Sequence, residues 1–140
     1  MASATVLTRL PDWSPRLFAF IESRRILPHA YGSNDCCLFC ADAILEMTGE
    51  DLAAGIRGTY SDQAGAEAIL EAHGGLEAFV ISILGEPKGP LCARQGDVAL
   101  IHTRHGDAVG ICEGNHVAVP GDVEQILIPL SQALKSWQVG

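Results

Sequence analysis

The sequence predicts an α+β fold in which helices come first and an antiparallel sheet follows. Up to about residue 84, apolar residues recur at helical spacing between glycines and prolines. From Gly96 onward, short segments rich in β-branched residues alternate with Gly, Asn, Asp or Pro, which is typical of a β-meander. This order of elements is that of α+β proteins. Because the 140 residues contain no repeat or linker, we expect a single domain, 1–140.

Each predicted helix begins at a capping residue or a glycine and ends at a glycine or a proline. The first opens at Ser14-Pro15, where the proline occupies the first helical position. The second begins at Cys36, with Asn34 or Asp35 as its cap. The remaining signals are Gly49 at the end of the second helix, Ser61 and Gly74-Gly75 around the third, and Leu76 and Gly85 around the fourth.

Four strands are predicted in the second part of the chain, at residues 98–101, 108–112, 116–119 and 125–128. The predicted loop of the first hairpin covers residues 103–107. A last segment, residues 131–137, is predicted to form a helical turn packed by Leu134 and Trp137.

Composition and charge exclude several classes of protein. A hydrophobic content of 48% is enough for a core without a metal or disulfide. The net charge of −8 argues against nucleic acid and against an anionic membrane surface as partners. The five cysteines are an odd number and three are crowded at 36–40, so we expect free thiols and a reducing compartment. No signal peptide is predicted at the N-terminus.

The segment that leads into the second helix places Cys36 at a helix start. Unpaired backbone N–H groups in the first turn favour a thiolate over a thiol, so Cys36 is a candidate nucleophile. The alternative is structural, since Cys36, Cys37 and Cys40 can serve as small apolar residues of a buried helix.

Two segments resemble the NlpC-type cell-wall cysteine peptidases, which share the papain-like core. Tyr31-Gly32 followed by Asp35-Cys36 is similar to the family segment that carries the nucleophile. The stretch 96–100 and Val109-Gly110-Ile111 look like two of its strands, so the core is expected at about residues 28–130. The resemblance implies cleavage of cell-wall peptide amides by Cys36. It also implies a substrate groove that includes Tyr31 and Asp35, with peptidoglycan peptides as partners and no cofactor.

The chain also resembles small uncharacterised proteins of phage and prophage tail-gene clusters. The shared pattern covers Trp13, residues 34–36, 48–51, 57–60, 74–76 and 96–98, and Trp137. The resemblance implies phage tail proteins as partners. It implies a location in the bacterial cytoplasm during assembly, or in the virion tail.

The chain departs from the peptidase pattern at two catalytic positions. The residue before Val109-Gly110-Ile111 is histidine in the family and Ala108 here, and the position of the third polar residue matches Ala118. With the hairpin loop at 103–107, His102 would oppose Ala108 at roughly 5 Å and replace the missing imidazole. In that register, small Ala108 and Gly110 would let the Cys36 helix approach closely.

Other assignments of the chemistry stay open. His105 lies in the predicted loop and faces the nucleophile only if a bulge intervenes. Cys37-x-x-Cys40 with His102-x-x-His105 offers four zinc ligands, or Cys37 and Cys40 a redox site, although we expect no metal. Finally, a catalytically inactive tail component would account for Ala108 and Ala118.

Overall fold

A computed structural model describes residues 6–140 of the chain. Its helices and strands follow the predicted order, helices first. Two short 3-10 turns lie at Pro90–Cys92 and Leu130–Gln132. The elements are α1 (Trp13–Ser23), α2 (Cys36–Thr48), α3 (Gln63–Ala72), α4 (Leu76–Leu84), β1 (Val98–Thr103), β2 (Gly106–Glu113), β3 (His116–Pro120), β4 (Gln125–Pro129) and β5 (Ala133–Trp137). The fold is therefore α+β, as predicted.

Local capping explains where α2 and α3 begin. The Asp35 carboxylate accepts a hydrogen bond of 2.9 Å from the Leu38 N–H, so α2 starts at Cys36. Gly49, with φ of 80°, ends α2 in the left-handed region. For α3 the cap is Asp62, one residue after the predicted Ser61, because its carboxylate accepts from the Gly65 N–H at 2.8 Å.

The five strands form one sheet in the order β4-β3-β2-β1-β5, and every neighbouring pair is antiparallel. One face of β1 and β2 packs against α1 and α2 through a cluster that includes Phe39, Leu100 and Ile111. The opposite face has its own apolar cluster, in which Ile101 and Val119 are buried. Cys36 packs against both clusters, so the start of α2 sits at the border between the two faces.

The predicted helical turn at residues 131–137 is wrong. In this part of the chain the 3-10 turn Leu130–Gln132 ends at the start of the predicted segment. The rest, Ala133–Trp137, is strand β5, which pairs with β1. The strand gives Trp137 a fully buried site, where its indole N–H donates to the Gly85 carbonyl at 2.9 Å. The free edge of β1 therefore decides the conformation of this segment, and that partner is distant in sequence.

The predicted register of the first hairpin is also wrong. Thr103 pairs with Gly106, so only Arg104 and His105 form the turn, and His102 opposes Asp107 instead of Ala108. The partner of Ala108 is Ile101. A shift of one residue moves a side chain to the other face of a sheet. His102 therefore lies on the face opposite to Ala108.

Gly110 serves strand packing. A Cβ at this position would lie 2.5 Å from the Ala118 carbonyl oxygen and 2.7 Å from Val117 Cγ1. The missing side chain lets β3 lie close to β2. The expectation that Gly110 makes room for the Cys36 helix is therefore wrong.

Candidate functional site

A groove of about 1010 Å³ lies between the helices and the tips of the two hairpins. Cys36 and Cys37 line its helical side, and Ala108 lines the β2 side. The turn of the β1-β2 hairpin and the loop between β3 and β4 form its rim. Of the predicted site residues, Cys36, Tyr31, Asp35 and His105 all line this groove, whereas His102 does not.

The Asp35 carboxylate holds the start of α2 in place. One oxygen accepts from the Leu38 N–H, and the other accepts from the Gly32 N–H at 3.0 Å and from the Tyr60 hydroxyl. Asp35 is only 5% exposed, so these donors replace water around a buried charge. Asp35 is therefore a fixed structural acceptor at the floor of the groove.

Several groups act on the Cys36 thiol, and their sum lowers its pKa below the ordinary value. The largest contribution is a hydrogen bond from the Cys37 thiol, and a backbone hydrogen bond at Val109 acts in the same direction. Burial and the negative charge of Asp35 oppose these contributions. The lowered pKa of Cys36 therefore does not depend on an imidazole at position 108.

The pKa values of the two neighbouring thiols are shifted in the opposite direction. The pKa of Cys37 is raised well above its ordinary value, first because this thiol donates to Cys36 and then because of burial. Burial also raises the pKa of Cys40 well above the usual range. Nucleophilic character is therefore concentrated on one of the three cysteines of α2.

Alkylation by iodoacetamide tests this difference among the thiols. The rate follows the thiolate fraction, so we expect the Cys36 rate to rise and level off at a lower pH than that of a small free thiol, whose pKa is about 8.5. Cys37 and Cys40 should react more slowly at every pH between 6 and about 9. Because the three residues share one tryptic peptide, fragment-ion mass spectrometry is the measurement that separates their rates.

Cys37→Ala is the matched variant for this experiment. It removes the thiol that donates to Cys36, so the pH profile of Cys36 alkylation should move to higher pH. Equal and slow labelling of all three cysteines in the unaltered protein would contradict the assignment of Cys36 as the reactive thiol.

The two candidate histidines occupy different positions. His102 is exposed, and its Nδ1 lies 2.9 Å from an Asp107 carboxylate oxygen. His105 lies in the hairpin turn, with Nε2 at 3.1 Å from an Asp122 oxygen, and both residues of that pair line the groove. The pKa of Asp122 is lowered, mainly by the hydrogen bond with His105. The structure thus brings an imidazole-carboxylate pair to the rim of the groove at His105.

Tyr31 lies at another part of the rim and is 37% exposed. Its ring meets the His29 imidazole edge-on, with 4.6 Å between the ring centroids. This aromatic pair, in which Tyr31 is exposed and His29 is half-buried, offers an apolar surface to a chain bound in the groove. His29 also lines the groove, so it is a second imidazole on this rim.

The zinc alternative receives no support from the described residues, and the redox alternative at Cys37 and Cys40 stays a prediction. Within residues 6–140, no three His, Cys, Asp or Glu side chains come together as metal ligands would.

Among the same described residues, no helix is long and apolar enough to cross a membrane.

Tyr60 and Asp122, like His29, were not identified as site residues from the sequence. Tyr60 contacts Asp35 from a connector 25 positions later in the chain. Its only sequence signal is the Arg57-Gly58-Thr59-Tyr60 pattern, on which part of the predicted resemblance to tail-cluster proteins rests. Asp122 had no such signal, because its contact with His105 depends on how two hairpins approach each other.

Comparison with solved structures supports the predicted fold. The crystal structure of the NlpC/p60 domain of the peptidoglycan hydrolase SagA aligns with a TM-score of 0.55 and 16% sequence identity. The alignment covers 89% of this chain and 97% of that domain. At this identity the match shows a shared fold, namely the NlpC-type α+β architecture.

Sequence comparisons assign the chain to a family without a known activity. No curated protein matches the chain. A phage or tail role is named by neither the structural match nor the family description, so that role stays a prediction. The family model described as "Domain of unknown function (DUF6950)" matches residues 8–139, and the chain therefore belongs to this family.

Proposed function

We propose that this protein is a cysteine hydrolase that cleaves amide bonds of cell-wall peptides with Cys36 as its nucleophile. The observation that carries the proposal is the thiol itself. Cys36 lies at the first residue of α2, its pKa is lowered, and it opens into a groove of about 1010 Å³. The fold shared with the NlpC/p60 domain of a peptidoglycan hydrolase suggests the class of substrate.

The reaction would proceed in two steps. The Cys36 thiolate attacks the amide carbonyl carbon, and the Cys36 backbone N–H at the helix start helps to hold the oxyanion. The C–N bond breaks, the leaving amine takes a proton, and a thioester remains on Cys36. Water then attacks the thioester, which releases the carboxylic acid and returns the thiol.

In this proposal His105 transfers the proton. His105 lines the groove and is paired with Asp122, which can orient the ring and stabilise its charged form. Because this pair lies at an exposed rim, we expect turnover to be slow compared with a site that holds histidine at position 108.

Soluble peptidoglycan fragments and the full chain provide the test. Mass spectrometry should detect new products with a free amine. Cys36→Ala should abolish them, and His105→Ala should lower the rate at least tenfold, because a general acid-base group contributes about 10²–10⁴. Loss of activity in His102→Ala together with full activity in His105→Ala would contradict the assignment of His105. Cleavage that persists in Cys36→Ala would overturn the hydrolase proposal.

A second candidate is a peptide-binding component of a phage tail that does not catalyse a reaction. Two alanines favour it, because the peptidase resemblance places polar catalytic residues at Ala108 and at Ala118. Ala118 is fully buried, and it lies in the cluster on the face of the sheet opposite to Ala108. This role implies assembly in the bacterial cytoplasm or presence in the virion tail. Co-purification with tail proteins should then survive Cys36→Ala, and the peptide fragments should bind without being cleaved.

A further inference from the structure

The connector between α2 and α3 is packed tightly against the segment that carries Cys36. A Cβ at Gly32 would lie 2.5 Å from the Tyr60 carbonyl oxygen, and Gly32 itself has φ of 82°. On the other side, a Cβ at Gly65 would lie 2.8 Å from Tyr60 Cβ. Tyr60 is therefore held between the cysteine segment and the first turn of α3.

A network of charged side chains attaches the same connector to α2. The Asp42 carboxylate binds two guanidinium groups, with Arg24 at 2.9 Å on one oxygen and Arg57 on the other. Arg57 also donates to Asp51 at 2.9 Å, and Arg24 donates to the Asn34 side-chain oxygen at 3.0 Å. Both ends of the network reach the site, since Asn34 precedes Asp35 and Arg57 lies three residues before Tyr60.

The Tyr60 hydroxyl completes this arrangement at the Asp35 carboxylate. It donates to the oxygen that also accepts from the Gly32 N–H, while the other oxygen caps α2 at Leu38. The pKa of Tyr60 is raised, first by burial and then by this hydrogen bond, so the hydroxyl keeps its proton and remains a donor. The donor therefore faces a buried negative charge one residue from the nucleophile.

We propose that Tyr60 is a positioning residue for Cys36, and that its hydroxyl both fixes the capping Asp35 carboxylate and offsets the charge that this carboxylate presents to the thiol. The inference rests on the proposed function only in that Cys36 is the reactive group. It adds a role for the Arg57-to-Tyr60 segment, which the hydrolysis mechanism does not use.

The direction of the effect follows from the charges. The pKa of Cys36 is lowered overall, but the Asp35 carboxylate acts against this lowering, because two negative charges close together repel each other. A hydrogen bond from Tyr60 draws part of the carboxylate charge toward the hydroxyl proton. Without the hydroxyl, Asp35 opposes the Cys36 thiolate more strongly, and less thiolate is present at neutral pH.

Tyr60→Phe tests the proposal, because it keeps the ring and removes only the donor. We expect Cys36 alkylation below its half-maximal pH to slow about three- to tenfold, since a hydrogen bond to a charged group is lost. The pH profile should shift upward by about 0.5–1 unit, which is the same change expressed as thiolate fraction. Thr59→Val is the matched control, because the Thr59 hydroxyl donates to the Ile56 carbonyl within the connector, and its profile should not shift.

A second pair of variants separates charge from general loosening of the segment. Tyr60→Phe added to Asp35→Asn should have little further effect on the profile, because the charge through which Tyr60 acts is already gone. A full shift in the Asp35→Asn background, or no shift in the single variant, would overturn the role of Tyr60. Circular dichroism of each variant checks that the fold is retained.

The outcome is independent of whether the protein hydrolyses peptides. A shifted alkylation profile without any cleavage would support Tyr60 and count against the hydrolase. Cleavage by Cys36 with an unchanged profile in Tyr60→Phe would support the hydrolase and count against Tyr60.

Discussion

Replacement of Asp97 by alanine should lower the free energy of unfolding by about 3 kcal/mol or more. Asp97 is 4% exposed, and its carboxylate forms a 3.0 Å ion pair with Arg9. It also accepts from the backbone N–H groups of Val139 and Arg94, each at 3.0 Å. Removal of the carboxylate leaves the Arg9 guanidinium without its counter-charge and two backbone donors without an acceptor, and breaking such a buried pair costs about 3–5 kcal/mol.

This carboxylate joins three distant parts of the chain. Arg9 precedes α1, Arg94 and Asp97 form the turn into β1, and Val139 follows β5. Arg9 adds hydrogen bonds to the Val139 carbonyl at 2.6 Å and to the Gln95 carbonyl at 2.8 Å. These contacts give Asp97 a structural role at the turn into β1.

Urea denaturation followed by circular dichroism is the measurement. The midpoint should fall by about 1 M or more, because slopes for domains of this size are about 1–3 kcal/mol per M. Asp12→Ala is the matched control, since Asp12 makes an exposed ion pair with Arg16 that should contribute less than about 1 kcal/mol. A similar loss of stability in both variants would contradict the role assigned to Asp97.

The elements that the sequence predicted correctly are those determined by local signals. Asp35, one of the two predicted caps, caps α2, Gly49 ends α2, and Gly85 ends α4. Each of these signals acts within a few residues of its helix end. The first four strands were predicted for a similar reason, because β-branched runs alternated with turn residues.

The elements that were predicted wrongly depend on partners far away in the sequence. Residues 133–137 form a strand because the edge of β1 is available to pair with them, and nothing within the segment shows that edge. The register at His102 depends on whether the turn contains two residues or five, and one position decides the face. Tyr60 and Asp122 likewise act through contacts that no local pattern encodes.

The same distinction applies to the candidate site. Cys36 and Asp35 could be found from the sequence, because a cap followed by a cysteine is a local pattern with a direct physical meaning. The identity of the groove-lining imidazole could not, since it depends on the hairpin register. The register leaves position 108 on the groove side and places His102 on the other face.

Replacement of Ala108 by histidine should therefore create a faster hydrolase. Ala108 lines the groove together with Cys36, and the backbone of the next residue, Val109, hydrogen-bonds to the Cys36 thiol. Ala108 is half-buried in the lining of this groove of about 1010 Å³, so a larger side chain would extend from the wall into that space. An imidazole beside the thiol can take its proton and return a proton to the leaving amine, so we expect cleavage of peptidoglycan fragments to rise about 100-fold.

The expected gain is at the lower end of the range for acid-base catalysis, because Ala118, which the peptidase resemblance places at the orienting position, is buried in the cluster on the face of the sheet opposite to Ala108 and cannot orient the new ring. Ala108→Gln is the matched control, since glutamine has similar bulk and polarity but cannot exchange a proton near neutral pH. The alkylation profile of Cys36 should move to lower pH in Ala108→His alone, because an imidazolium stabilises the thiolate. Addition of Cys36→Ala must abolish the new activity. If Ala108→His remains folded but cleaves no faster than Ala108→Gln, the groove does not present an amide carbonyl to Cys36, and the binding role without catalysis is then the better description of the protein.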